Sequence, residues 1–124
     1  MKEFYDIEVW QAGKEMVIRI YRVTKSFPKQ ETYGLIDQLR RAANSVCANI
    51  AEGYGRHHTR DKIKFYYNAR GSSFECQSHI LIAKGLGYVS PEEADGMVKG
   101  FTSINRMLNA MISALSHYHL ASSS

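Results

Sequence analysis

The chain has 124 residues, of which 44% are hydrophobic and 23% are charged, and only 2 are proline. This length and composition predict one folded domain over residues 1–124 and exclude a disordered or fibrous chain. No apolar run is long enough to span a membrane, and the N-terminus lacks the apolar core of a signal peptide. We therefore expect a cytoplasmic protein with no membrane partner.

Positive charge is concentrated in the middle of the chain. Residues 56–84 contain six lysines or arginines against two acidic residues, a local charge of +4, whereas residues 85–124 have a local charge of −1. Three of the five histidines also fall between residues 56 and 84. A polyanionic partner would explain this distribution, and a solvated surface is the alternative.

The first two predicted helices span residues 6–26 and 29–53. Asp6 is a good N-cap for the first helix, which ends before Phe27-Pro28. Its apolar positions follow helical spacing and comprise Val9, Trp10, Gly13, Met16, Val17, Ile20 and Val23. The second helix ends at Gly53 and Gly55, where glycine is expected to take the left-handed conformation that closes a helix. Its predicted inward face comprises Leu35, Leu39, Ala42, Val46 and Ile50.

The third predicted helix spans residues 59–86 and ends at Gly85 or Gly87. Its apolar residues are Ile63, Tyr66, Tyr67, Phe74, Ile80 and Leu81. Gly71 lies in its middle, where glycine costs about 1 kcal/mol relative to alanine. This cost predicts a close contact with another helix at Gly71.

The fourth predicted helix spans residues 90–119. Ser90 is an N-cap, Pro91 suits the first helical position, and Glu93 occupies the capping-box position. A heptad seam follows, formed by Met97, Phe101, Ile104, Leu108, Met111, Leu115 and Tyr118. Four helices joined by short turns predict an all-α, antiparallel up-down-up-down four-helix bundle.

The outward face of the second helix combines arginines with small residues. Its members are Arg40, Arg41, Asn44, Ala48 and Ala51. Small residues allow another backbone to approach closely, which predicts a subunit interface or a groove for a partner. A plain solvent face is the alternative interpretation.

The turn between the second and third helices predicts an anion site. Arg56, His57 and His58 precede the third helix, and Arg60 and Lys62 lie in its first turn. A helix N-terminus has unpaired amide groups and a positive dipole end, so phosphate is favoured there. The segment lacks the glycine, lysine and serine or threonine pattern of a phosphate-binding loop.

Catalytic and metal sites are not predicted. His57 and His58 are adjacent and diverge on a helix, and the Glu75 and His79 pair is not repeated on a second helix, as a di-iron bundle requires. The two cysteines, Cys47 and Cys76, fit free thiols better than a disulfide. We therefore expect neither a cofactor nor a bound metal.

The pattern of residues 6–56 resembles a bacterial four-helix-bundle family called large-subunit rRNA intervening-sequence proteins. The matching motifs are Val9-Trp10, Phe27-Pro28, Tyr33-Gly34-Leu35, Gln38 to Ala43 and Asn49 to Gly53, and the match continues through residue 88. The resemblance implies a ring-like homopentamer with a basic surface. It also implies kinship to accessory proteins of diversity-generating retroelements, which bind structured RNA and a reverse transcriptase and are not enzymes.

Together these patterns favour a non-enzymatic, homo-oligomeric protein that binds structured RNA. The expected nucleic-acid contacts are Arg40, Arg41, Arg56, His57, His58, Arg60, Lys62, Lys64 and Arg70. Tyr54 and Tyr66 are able to stack on unpaired bases if they are exposed, and a core position is the more common alternative for a tyrosine. The alternative function is a scaffold that docks a reverse transcriptase, and weak salt dependence of binding would distinguish it.

Overall fold

The computed structural model describes residues 2–123, with the backbone alone for residues 119 and 121–123. Its four α-helices are α1 (Glu8–Thr24), α2 (Leu35–Gly55), α3 (Thr59–Gly85) and α4 (Pro91–Ser123). Each helix packs against two others, in the cyclic order α1, α2, α3, α4. Because short connections join successive helices, neighbours run antiparallel. The predicted all-α four-helix bundle is confirmed.

The first two helices begin later than the sequence pattern indicates. A 3₁₀ helix at Phe4–Asp6 precedes α1, and there the Asp6 carboxylate accepts a hydrogen bond from the Glu3 amide at 3.1 Å. Asp6 therefore caps this short turn, and Ile7 is the N-cap of α1. A second 3₁₀ helix, Lys29–Glu31, occupies the predicted start of α2. The Glu31 side chain then accepts a hydrogen bond from the Leu35 amide at 3.2 Å.

The start of α4 agrees with its predicted capping signal. Pro91 is the first helical residue, and the Ser90 hydroxyl accepts a hydrogen bond from the Glu93 amide at 3.1 Å. The Glu93 carboxylate instead accepts a hydrogen bond from Arg19 Nε of α1 at 3.1 Å. Glu93 thereby links α4 to α1. Gly87 has φ +78° in the preceding turn, a conformation that favours glycine.

The core follows the predicted faces of α2 and most of α4. All five inward residues of α2 are buried, as are Met97, Phe101, Ile104 and Leu108 of α4. Tyr118, the last member of the predicted seam, is 65% exposed. The physical reason is length, because α4 has 33 residues and α3 has 27, so the last turns of α4 extend beyond its neighbour.

The face that α3 turns toward the core agrees only in part with the prediction, since Tyr66 and Ile80 are buried and Ile63 is half-buried. Its buried residues are Tyr66, Ala69, Ser73, Cys76, Ile80 and Ala83. Tyr67, Phe74 and Leu81, predicted as apolar positions of the helix, are exposed. Small side chains allow α3 to lie close to its neighbours, so packing selects the face with small residues. Which face of α3 is buried therefore depends on the shape of the adjacent helices.

Gly71 makes no close contact within the chain. A Cβ atom built on Gly71 would meet nothing within 4 Å, and the residue is exposed. The predicted helix contact at this position is therefore wrong for the single chain. The close approach occurs elsewhere, at Gly53, where a Cβ atom would lie 2.7 Å from the Tyr66 ring.

Both cysteines are free thiols on the α2 and α3 helices. Burial raises the pKa of Cys47 to about 11 and is also the main cause that raises the pKa of Cys76 to about 12. The reactive thiolate form is therefore disfavoured at neutral pH. Cys47 has a packing role, because its Sγ lies 2.9 Å from the position that a Cβ atom would take at Gly13 of α1.

Candidate nucleic-acid interface

The connection between α2 and α3 presents an uncapped helix N-terminus. His58 occupies the N-cap position of α3 and makes no side-chain capping hydrogen bond. Arg56, His57 and His58 are exposed, and the two imidazole rings meet edge to face with centroids 5.0 Å apart. The first amide groups of α3 therefore remain available to an anion.

An open depression of about 660 Å³ lies at this helix start. It is lined by His58, Thr59, Arg60, Asp61 and Lys64. Among the described residues, the exposed side chains of Arg60 and Lys64 make no hydrogen bond or ion pair within the chain. These two side chains can reach an anion without breaking an internal contact, although Asp61 offsets part of their charge. This arrangement is the strongest anion-binding feature of the predicted site.

Lys62 lies between Arg60 and Lys64 in sequence, but its side chain is bound within the chain. Its Nζ donates hydrogen bonds to the carbonyls of Tyr54 at 2.7 Å and Gly53 at 3.3 Å. Nζ also lies 5.6 Å from the centre of the Tyr54 ring. Burial lowers the pKa of Lys62. This cation neutralises the C-terminal end of α2, a role that charge counting along the sequence could not reveal.

Arg56 and Arg70 are partly engaged within the chain. Arg56 pairs with Glu52 at 3.5 Å and stacks 4.7 Å from the centre of the Phe65 ring. Arg70 donates a hydrogen bond to Asn109 of α4 at 2.8 Å and stacks 4.8 Å from the Tyr67 ring. Either side chain would have to reorganise to bind phosphate with its full donor set.

Arg40 and Arg41 of α2 lie far from the connection between α2 and α3. Arg40 and Arg56 are separated by about 24 Å along the helix axis, from a rise of about 1.5 Å per residue. Arg40 Nε donates to the Thr24 hydroxyl at 2.9 Å, and its guanidinium lies 4.5 Å from the Tyr21 ring centre. Arg41 is exposed and pairs with Asp37 at 3.4 Å. The nine predicted nucleic-acid contacts therefore do not form one compact cluster.

The outward face of α2 is partly used to hold α1. Besides Arg40, Asn44 donates a hydrogen bond to the Tyr21 hydroxyl at 3.0 Å. Ala48 is exposed and Ala51 is half-buried. Tyr21 contacts both Arg40 and Asn44. This role could not be predicted, because nothing in the sequence distinguishes Tyr21 from an ordinary exposed tyrosine. On this face Ala48 is the exposed small residue, and Arg41 is exposed but paired with Asp37.

The two tyrosines proposed for base stacking have different environments. Tyr66 is only 2% exposed, and burial is the main cause that raises its pKa to about 12. Tyr66 is therefore a core residue, which is the alternative to stacking on a base. Tyr54 is half-buried, and its hydroxyl donates to the Lys2 carbonyl at 2.6 Å. One face of its ring is already occupied by Lys62.

Among the side chains that the structure describes, those of residues 2–118 and 120, no group of three or more histidine, cysteine, aspartate or glutamate residues could hold a metal. The Glu75 and His79 pair does form, with 3.3 Å between the carboxylate and the imidazole, but it has no third ligand. Within the same range no helix combines the length and apolar character needed to cross a membrane.

The helix order and packing define a four-helix-bundle protein. Residues 5–110 match the model of the 23S rRNA-intervening sequence protein family, and the chain belongs to that family. The resemblance seen in the sequence motifs is confirmed. No curated protein matches the chain.

A solved structure supports the same architecture. It is the crystal structure of a protein with unknown function from the S23 ribosomal protein family of Bacteroides thetaiotaomicron VPI-5482. The two chains superpose with a TM-score of 0.78 and 23% sequence identity, covering 84% of this chain and 97% of the other. At this identity the similarity shows the fold alone, and it assigns no activity.

Proposed function

We propose that the protein is a non-enzymatic, homo-oligomeric RNA-binding protein whose primary phosphate contact is the start of α3. The observation that carries this proposal is the pair of exposed cations, Arg60 and Lys64, beside an uncapped helix N-terminus. Fixed amide dipoles and mobile positive side chains there act on the same anion. His57 and His58 are exposed beside the same helix start and add further contacts to the anion.

Structured RNA is the ligand that we favour among polyanions. The family description refers to an intervening sequence of 23S rRNA. The shape of the site is consistent with backbone recognition, because the cations surround an open depression and the buried Tyr66 cannot stack on a base. Phosphate contacts supply affinity and register without reading sequence. We therefore expect recognition of RNA shape more than of base identity.

Reversing both exposed cations should weaken RNA binding. In the double variant Arg60→Glu and Lys64→Glu, we expect RNA affinity to fall at least roughly tenfold at moderate salt. Each lost phosphate contact should flatten the slope of log affinity against log salt by about 0.7 to 0.9. The measurement is the binding of a structured RNA hairpin by fluorescence anisotropy across a salt series.

A matched control has the same charge change on another face. Lys99 and Arg106 of α4 are exposed, and among the described residues neither forms an ion pair. Lys99→Glu with Arg106→Glu should leave the salt slope unchanged. Equal losses in the two double variants would mean that only net charge matters, and the site would be rejected. Wild-type affinity that is insensitive to salt would instead favour the scaffold that docks a reverse transcriptase.

Assembly through the outward face of α2 remains a prediction. Ala48 is exposed there, so Ala48→Glu should weaken a subunit contact while leaving helix content intact. Sedimentation velocity measures the particle mass, and circular dichroism controls for folding. A wild-type monomer at micromolar concentration, or an unchanged mass for Ala48→Glu, would contradict this interface. A mass of five wild-type chains would support the ring that the family resemblance implies.

A further inference from the structure

The turn between α1 and α2 has the most exposed aromatic side chain of the described surface. Tyr33 is 94% exposed, whereas the other exposed large apolar side chains range from 39% to 67%. Among the described residues, its ring contacts no other ring or cation, and its hydroxyl forms no hydrogen bond. Tyr33 therefore contributes no packing to the single chain.

The backbone that supports Tyr33 is firmly held. The Gly34 amide donates a hydrogen bond to the Glu31 carbonyl at 3.0 Å, which closes the turn around Tyr33. The Glu31 carboxylate accepts hydrogen bonds from the Leu35 amide at 3.2 Å and from the Tyr88 hydroxyl at 3.0 Å. Tyr88 lies between α3 and α4, so Glu31 joins the two turns at this end of the bundle. An exposed ring on an ordered support loses little entropy on binding.

Two unpaired cations belong to the same turn. Lys25 and Lys29 are exposed, and among the described residues neither side chain forms an ion pair or a hydrogen bond. Four residues separate Lys29 from Tyr33, and the hydrogen-bonded turn keeps them closer than the about 14 Å of an extended chain. Glu31, the acidic residue of the turn, directs its carboxylate toward the bundle. The ring of Tyr33 therefore has positive charge beside it.

An exposed ring beside free lysines has the chemistry that binds single-stranded nucleic acid. Every base has a π face that stacks on tyrosine, and nearby lysines contact the phosphates that flank the base. A tyrosine that anchors a protein partner is instead expected in a well-packed patch that excludes water. The neighbours of Tyr33 are exposed polar residues, namely Lys29, Gln30 and Thr32. Its surroundings therefore favour a base over a protein.

We propose that Tyr33 is a second RNA contact, which stacks on an unpaired base while Lys25 and Lys29 contact the flanking phosphates. The inference rests on the proposed RNA-binding function but concerns a different part of the RNA. The start of α3 contacts the backbone of paired RNA, and Tyr33 binds a nucleotide of a loop or bulge. The two sites lie at opposite ends of α2, about 30 Å apart from its 21 residues.

The test compares Tyr33→Ala, Tyr33→Leu and Tyr33→Phe with the wild type on two RNAs. One RNA is a hairpin with an unpaired loop, and the other is a blunt duplex with the same stem. Alanine removes the ring, leucine keeps apolar bulk without a π face, and phenylalanine keeps the ring. Binding is measured by fluorescence anisotropy across a salt series. Because the Tyr33 side chain is exposed, all three variants should fold, which circular dichroism checks.

The hairpin affinity should fall about fivefold to a hundredfold for Tyr33→Ala and Tyr33→Leu, the usual effect of losing one stacked base. It should stay unchanged for Tyr33→Phe. The salt slope of Tyr33→Ala should equal that of the wild type, because stacking neutralises no phosphate. Duplex affinity should be the same for all four proteins. Abasic nucleotides in the loop should remove the difference between Tyr33→Ala and the wild type.

Equal hairpin affinity of Tyr33→Ala and the wild type would overturn the stacking site, as would an equal loss on the duplex. Full hairpin affinity of Tyr33→Leu would also overturn it, because apolar bulk would then suffice. The phosphate contact at the start of α3 fails separately, if Arg60→Glu with Lys64→Glu leaves duplex affinity and salt slope unchanged. A wild type that binds neither RNA would reject both proposals.

Discussion

Replacing Gly53 by alanine is expected to lower the free energy of unfolding by about 1–3 kcal/mol, the usual cost of overpacking a well-filled core. The new Cβ atom would lie 2.7 Å from Tyr66 Cε1 and 3.1 Å from Phe65 Cβ. Tyr66 is buried and cannot swing aside, so α2 and α3 would have to separate. The loss should appear in urea denaturation as a lower midpoint with an unchanged slope.

Gly55 provides the matched control for this substitution. It lies on the same helix two residues later, is exposed, and offers open space to a Cβ atom. Gly55→Ala should leave stability unchanged or slightly raised, because alanine is the better helix former. If Gly53→Ala behaved like Gly55→Ala, close packing against Tyr66 would not limit this position. Since Gly53 lies at the end of α2, loosening it should also displace the start of α3.

Lys62→Glu is expected to lower the free energy of unfolding by about 1–3 kcal/mol, whereas Lys64→Glu should change it by at most about 0.5 kcal/mol. Lys62 donates hydrogen bonds to the carbonyls of Gly53 and Tyr54. A glutamate there would remove the donor and place negative charge at the negative end of α2. Lys64 is exposed and forms no such contact among the described residues.

Among the variants that remain folded, RNA affinity should fall more for Lys64→Glu than for Lys62→Glu. Lys64→Glu should weaken binding and reduce the salt slope, because it would remove the phosphate contact that we propose for Lys64. Lys62→Met separates the loss of the hydrogen bonds from the reversal of charge, because methionine has no donor and no charge. This variant should still destabilise the bundle. Equal stability of the Lys62 and Lys64 variants in urea would refute the assignment of Lys62 to the end of α2.

Much of the candidate site could be located from local sequence alone. The end of α2 near Gly55 and the start of α3 at Thr59 agree with the sequence prediction, but neither Gly53 nor Gly55 takes the predicted left-handed conformation, because both belong to the last turn of α2. The density of basic residues after position 56 is visible without a structure. Which cations are available could not be predicted. Arg56 and Lys62 were equivalent to Arg60 in sequence, and only the positions of Glu52, Phe65 and the α2 carbonyls separate them.

The sequence by itself determined the features that depend on near neighbours along the chain. The cap at Ser90 and the proline at the start of α4 act within a few residues. The inward faces of α2 and α4 could be predicted because their apolar residues recur at helical spacing. These signals sufficed for the four-helix architecture and the family.

Only the tertiary structure decided the orientation of α3. Apolar residues occur on two sides of this helix, so helical spacing alone cannot identify the buried one. The close approach of α2 at Gly53 selects the side with Tyr66, Ala69 and Ser73 and leaves Tyr67 and Phe74 exposed. The selection depends on the shape of the surface opposite, which residues distant in the chain provide.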